Sequence, residues 1–317
     1  MRQRFRICLI LAVCLLAPAQ RAFGWNAIGH MAVAYVAYQK LTVQQKARAT
    51  ELLKLNPSYG QWLSYIPAGT SDADRDTYIF MMAATWPDQI KAQTSGYAND
   101  GNVAPDTPEA SANTGYDDKV MHKYWHYTDH PYSVPAGMTL PAIPKVNAQT
   151  EIALLRAAIA TDESDAVKSY DLVWLLHLVG DIHQPLHCTT RVTAATAQGD
   201  QGGNAVVLVG KPNELHAYWD NLLGTGSTQD FAKAVAAAKK LAAASPSAAA
   251  KTHESVWVKE SFAMAKRSVY KAPIGDGTGP YTIDPTSKYA KSALALGKKR
   301  VALAGERLGN LINVELK

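Results

Sequence analysis

Two stretches of this chain place histidine and aspartate where they can share a metal ion. In LLHLVGDIHQPLH, His177 and Asp181 stand four residues apart, with His183 and His187 close behind. In NELHAYWDN, His216 and Asp220 repeat that spacing. Four residues is just over one helical turn, so each pair lies on one helical face. An imidazole and a carboxylate on neighbouring turns of a rigid helix present two ligands at a fixed separation, which is the chemistry of a zinc site. An ionised Asp181 in so apolar a stretch is costly unless it is paired or metal-bound. The competing reading of the same residues is a buried His–Asp hydrogen-bond network without metal.

Further candidates lie upstream. TWPDQIK sets Asp88 just past a helix end, with Lys91 three residues on; YWHYTDH sets His126 among aromatics, near His122, Asp129 and His130. His122 and His130 flank a loop and read as surface residues. His183 sits on the opposite side of its helix from His177 and Asp181 and reads as a group supporting the ligands. His253 reads as a solvated helix-start residue.

The N-terminus bears on the same chemistry. Arg2, Arg4 and Arg6 precede the apolar run ICLILAVCLLA, which ends at Ala22-Phe23-Gly24. The run is too short to span a bilayer, and the pattern predicts a secretory signal peptide over residues 1–24; an uncleaved interfacial anchor is the alternative. Cleavage leaves 293 of the 317 residues, starting at Trp25. The new α-amine and the Trp25 carbonyl can chelate one metal in a five-membered ring, with His30 following on the first helix. Cleavage also removes four arginines and no acid, taking the formal net charge from +5 to +1. So weak a charge excludes a basic duplex-binding face. Cys8 and Cys14 leave with the signal and Cys188 stays alone, so no internal disulfide framework is available. An exported protein, periplasmic or secreted and bacterial, fits these features.

The elements that must position the candidates read as helices. They are expected over 27–38, 43–55, 74–84, 149–161, 169–182, 214–222, 228–244, 253–270 and 287–311, with loops over 94–116 and 131–147. The 169–182 helix is apolar on nearly every face, so it is expected at the centre. Gly202-Gly203 before Val206-Val207-Leu208-Val209, then Gly210 and Pro212, predict a small β-hairpin over 199–212. The expectation is an all-α chain: one mainly helical domain over 25–317 with a β-hairpin insertion.

Trp25 with His30, TWPD at Asp88, His126, LLHLVGDIHQPLH, the GGN at 202–204 and LHAYWDN together resemble the zinc-dependent type I nuclease family. These are the single-strand-preferring nucleases and 3′-nucleotidases of fungi, plants and bacteria. The resemblance runs from Trp25 to at least Asn221 and implies the helical fold of that family and of the zinc phospholipases C. It implies three Zn2+ ions. One is held by Asp88, His126, His177 and Asp181. A second is held by the amine and carbonyl of Trp25, by His30 and by the bridging Asp181. The third, more exposed, is held by His187, His216 and Asp220. Lys91 and Asn221 are the implied substrate-binding residues, and Asp88, Asp181 and Lys91 the catalytic ones. The chain departs from the family at Pro87, where Ala is common. It departs again at Lys91, which replaces a common Arg and would meet phosphate as a point charge rather than a fork.

The resemblance implies hydrolysis of single-stranded DNA, RNA and 3′-nucleotides to products with a free 3′-OH and, from polynucleotides, a 5′-phosphate. A monomer off the membrane is expected. Bound zinc would bring water towards neutral pKa and add positive charge that the sequence does not reveal. Tyr127, Tyr218 and Trp125 are available to stack a base, although core packing competes for them. Two alternatives remain open. A zinc phospholipase C shares much of the ligand set, but typically has Glu where Asp220 stands. A non-catalytic exported protein with structural zinc would ordinarily close each site with four protein ligands.

Overall fold

The computed structural model describes residues 24–317, so the signal-peptide reading falls, apart from Gly24, outside the described residues. Helix α1 spans Ala27–Lys40 and starts at a side-chain cap: Asn26 accepts from the Gly29 N–H at 3.1 Å. Helices α2 (Val43–Leu53), α3 (Tyr59–Tyr65), α4 (Asp72–Ala83) and the single turn α5 (Trp86–Gln89) follow. After a long loop come α6 (Ala148–Ile159) and α7 (Asp165–Asp181). The C-terminal half adds α8 (Leu215–Asp220), α9 (Phe231–Lys239), α10 (Pro246–Ala249), α11 (Glu254–Met264) and the long α12 (Lys288–Glu315).

Helix α7 lies in the middle, as its apolar character requires. Every residue from Lys168 to Asp181 is buried, and the helix packs against α1, α2, α6 and α12. Helix α12 runs along α1 at close range. A Cβ on Gly305 would stand 2.5 Å from Val36 Cβ, so glycine there sets the approach of the two helices. All seven tryptophans are 1% exposed or less, which anchors a large core with no disulfide among the described residues. A smaller apolar cluster around Leu186, Leu215, Trp219 and Val269 adjoins the main one, and Leu222 packs against both.

The mainly α architecture matches expectation, but the β structure differs. Residues 206–209 alternate inward and outward as a strand should, with Val206 and Leu208 buried and Val207 and Val209 exposed. They nevertheless make only isolated bridges, Val207 to Glu214 and Leu208 to Tyr281, and form no hairpin. Glycines at positive φ (Gly202, Gly203, Gly210) bend both flanks, leaving too little straight chain to pair. The two-stranded sheet is instead parallel, β1 (Pro131–Ser133) beside β2 (Thr190–Val192), with Pro131 opposite Thr190. Its first strand falls in the 131–147 segment expected as loop. Helix α3 also lies outside the expected set, and the 253–270 helix ends in a wide π turn at Ala265–Val269. Among the described residues no helix is long and apolar enough to cross a membrane.

Candidate metal centre

The sequence pairs meet at the C-terminal end of α7. Asp181 is fully buried, and its two oxygens face three imidazoles. Oδ1 lies 3.3 Å from His30 Nε2; Oδ2 lies 3.0 Å from His126 Nδ1 and 3.2 Å from His177 Nε2. Asp88, at the end of α5, approaches the same histidines at 3.7 Å from His177 and 4.0 Å from His126. His187 and His216 face one another, Nε2 to Nε2, at 3.0 Å, with Asp220 Oδ2 3.6 Å from His216. Three groups emerge whose ligand atoms lie within 4.8 Å of one another: His30–His177–Asp181, Asp88–His126–His177 and His187–His216–Asp220. Asp181 stands between the first two.

Backbone carbonyls decide which nitrogens point inward. His177 Nδ1 donates to Ala84 O at 2.7 Å, His187 Nδ1 to His126 O at 2.6 Å and His216 Nδ1 to Gly202 O at 2.7 Å. A carbonyl only accepts, so each Nδ1 carries the proton and Nε2 is the ring nitrogen turned to the cluster. Two ring nitrogens 3.0 Å apart, as His187 and His216 Nε2 are, attract one another only with a proton or a cation between them. Gly202 makes the last of these bonds possible. It sits at φ +60°, and a Cβ there would lie 2.4 Å from Leu186 O and 3.3 Å from His216 Nδ1. Gln184 completes the frame by donating to Asp220 Oδ1 at 2.8 Å.

The electrostatics are those of a crowded, dry site. Burial works to raise Asp88, but Lys91, His177 and His126 outweigh it and hold the carboxyl down at about 2. Asp181 is likewise held well below the usual range: His177 and His187 override the effect of burial. Burial, with Lys91 beside it, lowers His126 to about 3. Asp220 goes the other way. Burial pushes it well up, and the nearby Asp181, Asp88 and Glu214 add to the rise. Its anionic form therefore wants a cation beside it.

Trp25 is buried, with its indole N–H on Gly180 O at 3.0 Å. The chain just before it runs against the His30–Asp181 pair: a Cβ on Gly24 would stand 1.6 Å from Asp181 Oδ1 and 3.0 Å from His30 Nε2. Lys91 is 7% exposed and ion-paired to Asp88 at 2.8 Å. Asn221 lines a cleft of about 490 Å³ beside Asp88, His216 and Asp220. Its Oδ1 accepts from Asn26 Nδ2 at 2.6 Å, tying the end of α8 to the start of α1.

Other expectations change. His122 is not a surface residue: it is 1% exposed, because Trp125 stacks on its ring and Trp174 closes over its side. His183 does not support the ligands. Its Nδ1 donates to Val179 O and its Nε2 accepts from Arg307, on the far side of α7. Trp125 belongs to the core rather than to any open stacking surface. His253 is a solvent-exposed helix-start residue, as expected. Cys188 is buried with its thiol pushed up by burial, and it makes no part of the cluster. Gln184 and Asn26, and Gln89 and Thr228 on the wall of the cleft, escaped the sequence reading. Lone polar residues in turns carry no periodic signal; only the position of Gln184 inside the His-rich stretch hinted at a role.

The chain is similar in sequence to known proteins. The S1/P1 Nuclease family model matches residues 25–317. Nuclease S1 of Aspergillus oryzae is 24% identical over 233 residues, which is 72% of this chain and 64% of that protein. Endonuclease 4 of Arabidopsis thaliana is 36% identical over 70 residues, 20% of this chain and 21% of its own length. Endonuclease 5 of the same plant is 26% identical over 149 residues, 44% of this chain and 42% of its own. The chain thus spans less than two thirds of each of these relatives. With a match that covers the whole stretch from Trp25 onwards, including every residue of the His–Asp cluster, the chain belongs to the S1/P1 nuclease family.

Proposed function

We propose that this chain is an exported zinc-dependent nuclease that hydrolyses single-stranded DNA and RNA to 5′-phosphate products and acts on 3′-nucleotides. One observation carries the reading. His177, His187 and His216 each give their Nδ1 proton to a backbone carbonyl, which turns Nε2 into a cluster of ligand atoms shared with three carboxylates. An all-nitrogen-and-oxygen donor set of this kind suits zinc. The orphaned buried atoms fit it too: both His30 nitrogens, His126 Nε2 and Asp181 Oδ1 have no hydrogen-bond partner.

Three zinc ions account for the groups. Asp88, His126, His177 and Asp181 would hold one; Asp181, His30 and the amine and carbonyl of Trp25 a second; His187, His216 and Asp220 a third. Bound zinc lowers the pKa of water and polarises phosphoryl oxygens. Asp181 fixes the spacing of the first two positions, because its two oxygens face different imidazoles. The third position has only three protein ligands and borders the cleft, so a phosphate can reach it. Lys91 holds Asp88 in its charged form and adds positive charge for the phosphoryl group. Asn221 and Asn204, both on the cleft wall, offer amides to the nucleotide. The domain is taken to be residues 25–317, monomeric, after removal of a signal over 1–24.

The test is Asp181→Asn. The variant is expected to lose hydrolysis of single-stranded DNA, RNA and 3′-AMP and to bind fewer zinc ions by elemental analysis. Full activity with three zincs retained would overturn the assignment. Parallel assay on phosphatidylcholine separates a phospholipase, and a zinc-loaded protein inert on all four substrates would mark a purely structural role for the metal.

A further inference from the structure

Outside the centre, one other place repeats its signature. His122 stands at the start of the 3-10 turn Lys123–His126, with its backbone in the left-handed region at φ 45°. A non-glycine residue adopts that conformation only where its surroundings hold it. Trp125 fixes the plane of the His122 ring by stacking on it, with centroids 3.7 Å apart and an 8° tilt. His122 Nε2 lies 2.5 Å from Asp118 Oδ2, and Asp118 is itself anchored by the Val120 N–H on its other oxygen. A carboxylate accepts, so Nε2 carries a proton and Nδ1 is the ring nitrogen left to face another group. That Nδ1 faces Asp100 Oδ2 at 3.7 Å, too far for a hydrogen bond. Both atoms are buried without a partner. Asp100 is turned to this position by the Lys123 N–H, which donates to its Oδ1 at 3.3 Å. The pair borders a cavity of about 300 Å³ that Glu109, Thr114 and Tyr124 also line.

We infer that His122 Nδ1 and Asp100 Oδ2 hold a divalent transition-metal ion, with Asp118 as the carboxylate that orients the imidazole. The 3.7 Å separation equals that of His177 Nε2 and Asp88 Oδ1 in the main centre. Zinc–nitrogen and zinc–oxygen bonds of about 2.0–2.2 Å let one ion reach both atoms at a wide angle. A carboxylate behind a metal-bound histidine is the usual way to fix its tautomer. An imidazole ligand favours zinc-like ions over magnesium or calcium. Water from the cavity completes the coordination. With two side-chain ligands, this ion is held more weakly than those of the main centre and leaves first. Trp174 separates the two places, with its ring 5.9 Å from His122 and 5.5 Å from His126. The ion takes no part in hydrolysis; it pins the first residue of the turn whose last residue is His126.

The deciding experiment soaks crystals of the processed protein in zinc and collects anomalous data on both sides of the zinc edge. A peak between His122 and Asp100, separate from those at the main centre, is expected. Its absence at a zinc concentration far above that which fills the main centre overturns the inference. Asp100→Asn should bind one zinc fewer while hydrolysis stays within threefold of the parent; an unchanged zinc count refutes the site. If the variant fails to fold, the wild-type map still answers. The map also resolves this position whether or not the main centre proves to be a nuclease site.

Discussion

A single residue left in front of Trp25 is expected to cost the protein a zinc ion. With Gly24 in place, the Trp25 nitrogen is an amide whose lone pair is delocalised into the peptide bond, so it cannot bind metal. As a free α-amine, with a normal pKa of about 7.7–8.0, it gives up its proton readily and can bind. Structural zinc sites with four ligands are worth about 10–16 kcal/mol, so one ligand accounts for roughly 3 kcal/mol, or about 100-fold in affinity. The structure adds a steric part. The Cβ position of residue 24 is 1.6 Å from Asp181 Oδ1, so alanine there overlaps the carboxylate and must push it from His126 and His177, which lie 3.0 and 3.2 Å from its other oxygen. Three forms test this: a chain beginning at Trp25, a chain beginning at Gly24, and the latter carrying Gly24→Ala. With the weaker His122–Asp100 ion dialysed away, elemental analysis should find three, two and fewer than two zincs, and kcat/KM on single-stranded DNA should fall in the same order, by at least about tenfold at the first step. Three zincs and full activity in the form that begins at Gly24 would refute the chelate. Equal behaviour of the two extended forms would refute the steric argument while leaving the chelate standing.

Other expectations concern single side chains. Lys91→Ala should lower kcat/KM on 3′-AMP by about 100–1,000-fold, the range for removing one electrostatic donor, while Lys91→Arg restores part of it; unchanged kinetics would remove Lys91 from the site. Gly202→Ala must force an L side chain into φ +60° and against Leu186 O, at a cost of about 2 kcal/mol or more in chemical denaturation, and should lower zinc content at the third position through His216; wild-type stability would contradict the close contact. Asp171 provides a pH test remote from the metals. Burial raises its carboxyl to about 8 despite the Asn113 amide on Oδ1. The folded state thus keeps a proton that the unfolded chain releases near 4, and wild-type stability from this group falls as pH rises between those values. The unfolding free energy of Asp171→Asn relative to wild type, measured by chemical denaturation, should therefore rise between about pH 5 and pH 8, by an amount of the order of a few kcal/mol; a pH-independent difference would show Asp171 ionised in the fold.

Much of the site was legible in the chain. His177–Asp181 and His216–Asp220 could be read directly, because a four-residue spacing on a helix fixes the geometry within that helix and nothing else has to be known. The apolar run around His177 likewise placed α7 at the centre, since a helix without a polar face has nowhere else to go. Family motifs extended the set to Asp88, His126, His30 and Trp25. Where the reading failed, the cause was non-local. His122 reads as a surface residue because its burial is completed by Trp174, which the folding of the central helix closes over a ring that its neighbours Trp125 and Asp118 hold in place. His183 looked like a supporter of the ligands because the helix wheel does not show that Arg307, 124 residues later, claims its ring. The hairpin at 199–212 failed because strand pairing depends on what lies opposite, and Tyr281 took one of the places.

The chain by itself determined which residue types can bind metal and which of them share a helical face, since both follow from composition and the helical period of about 3.6 residues. Only the tertiary structure decided which atoms converge. The carbonyls of Ala84, His126 and Gly202 come from three separate segments, yet they set the inward nitrogen of His177, His187 and His216. Asp181 reaches His30 and His126 only because α1 and the turn before Tyr127 both end against α7. Spacing fixes geometry along one element; the direction of a lone pair depends on a hydrogen bond to another, and that bond exists only once the elements have packed.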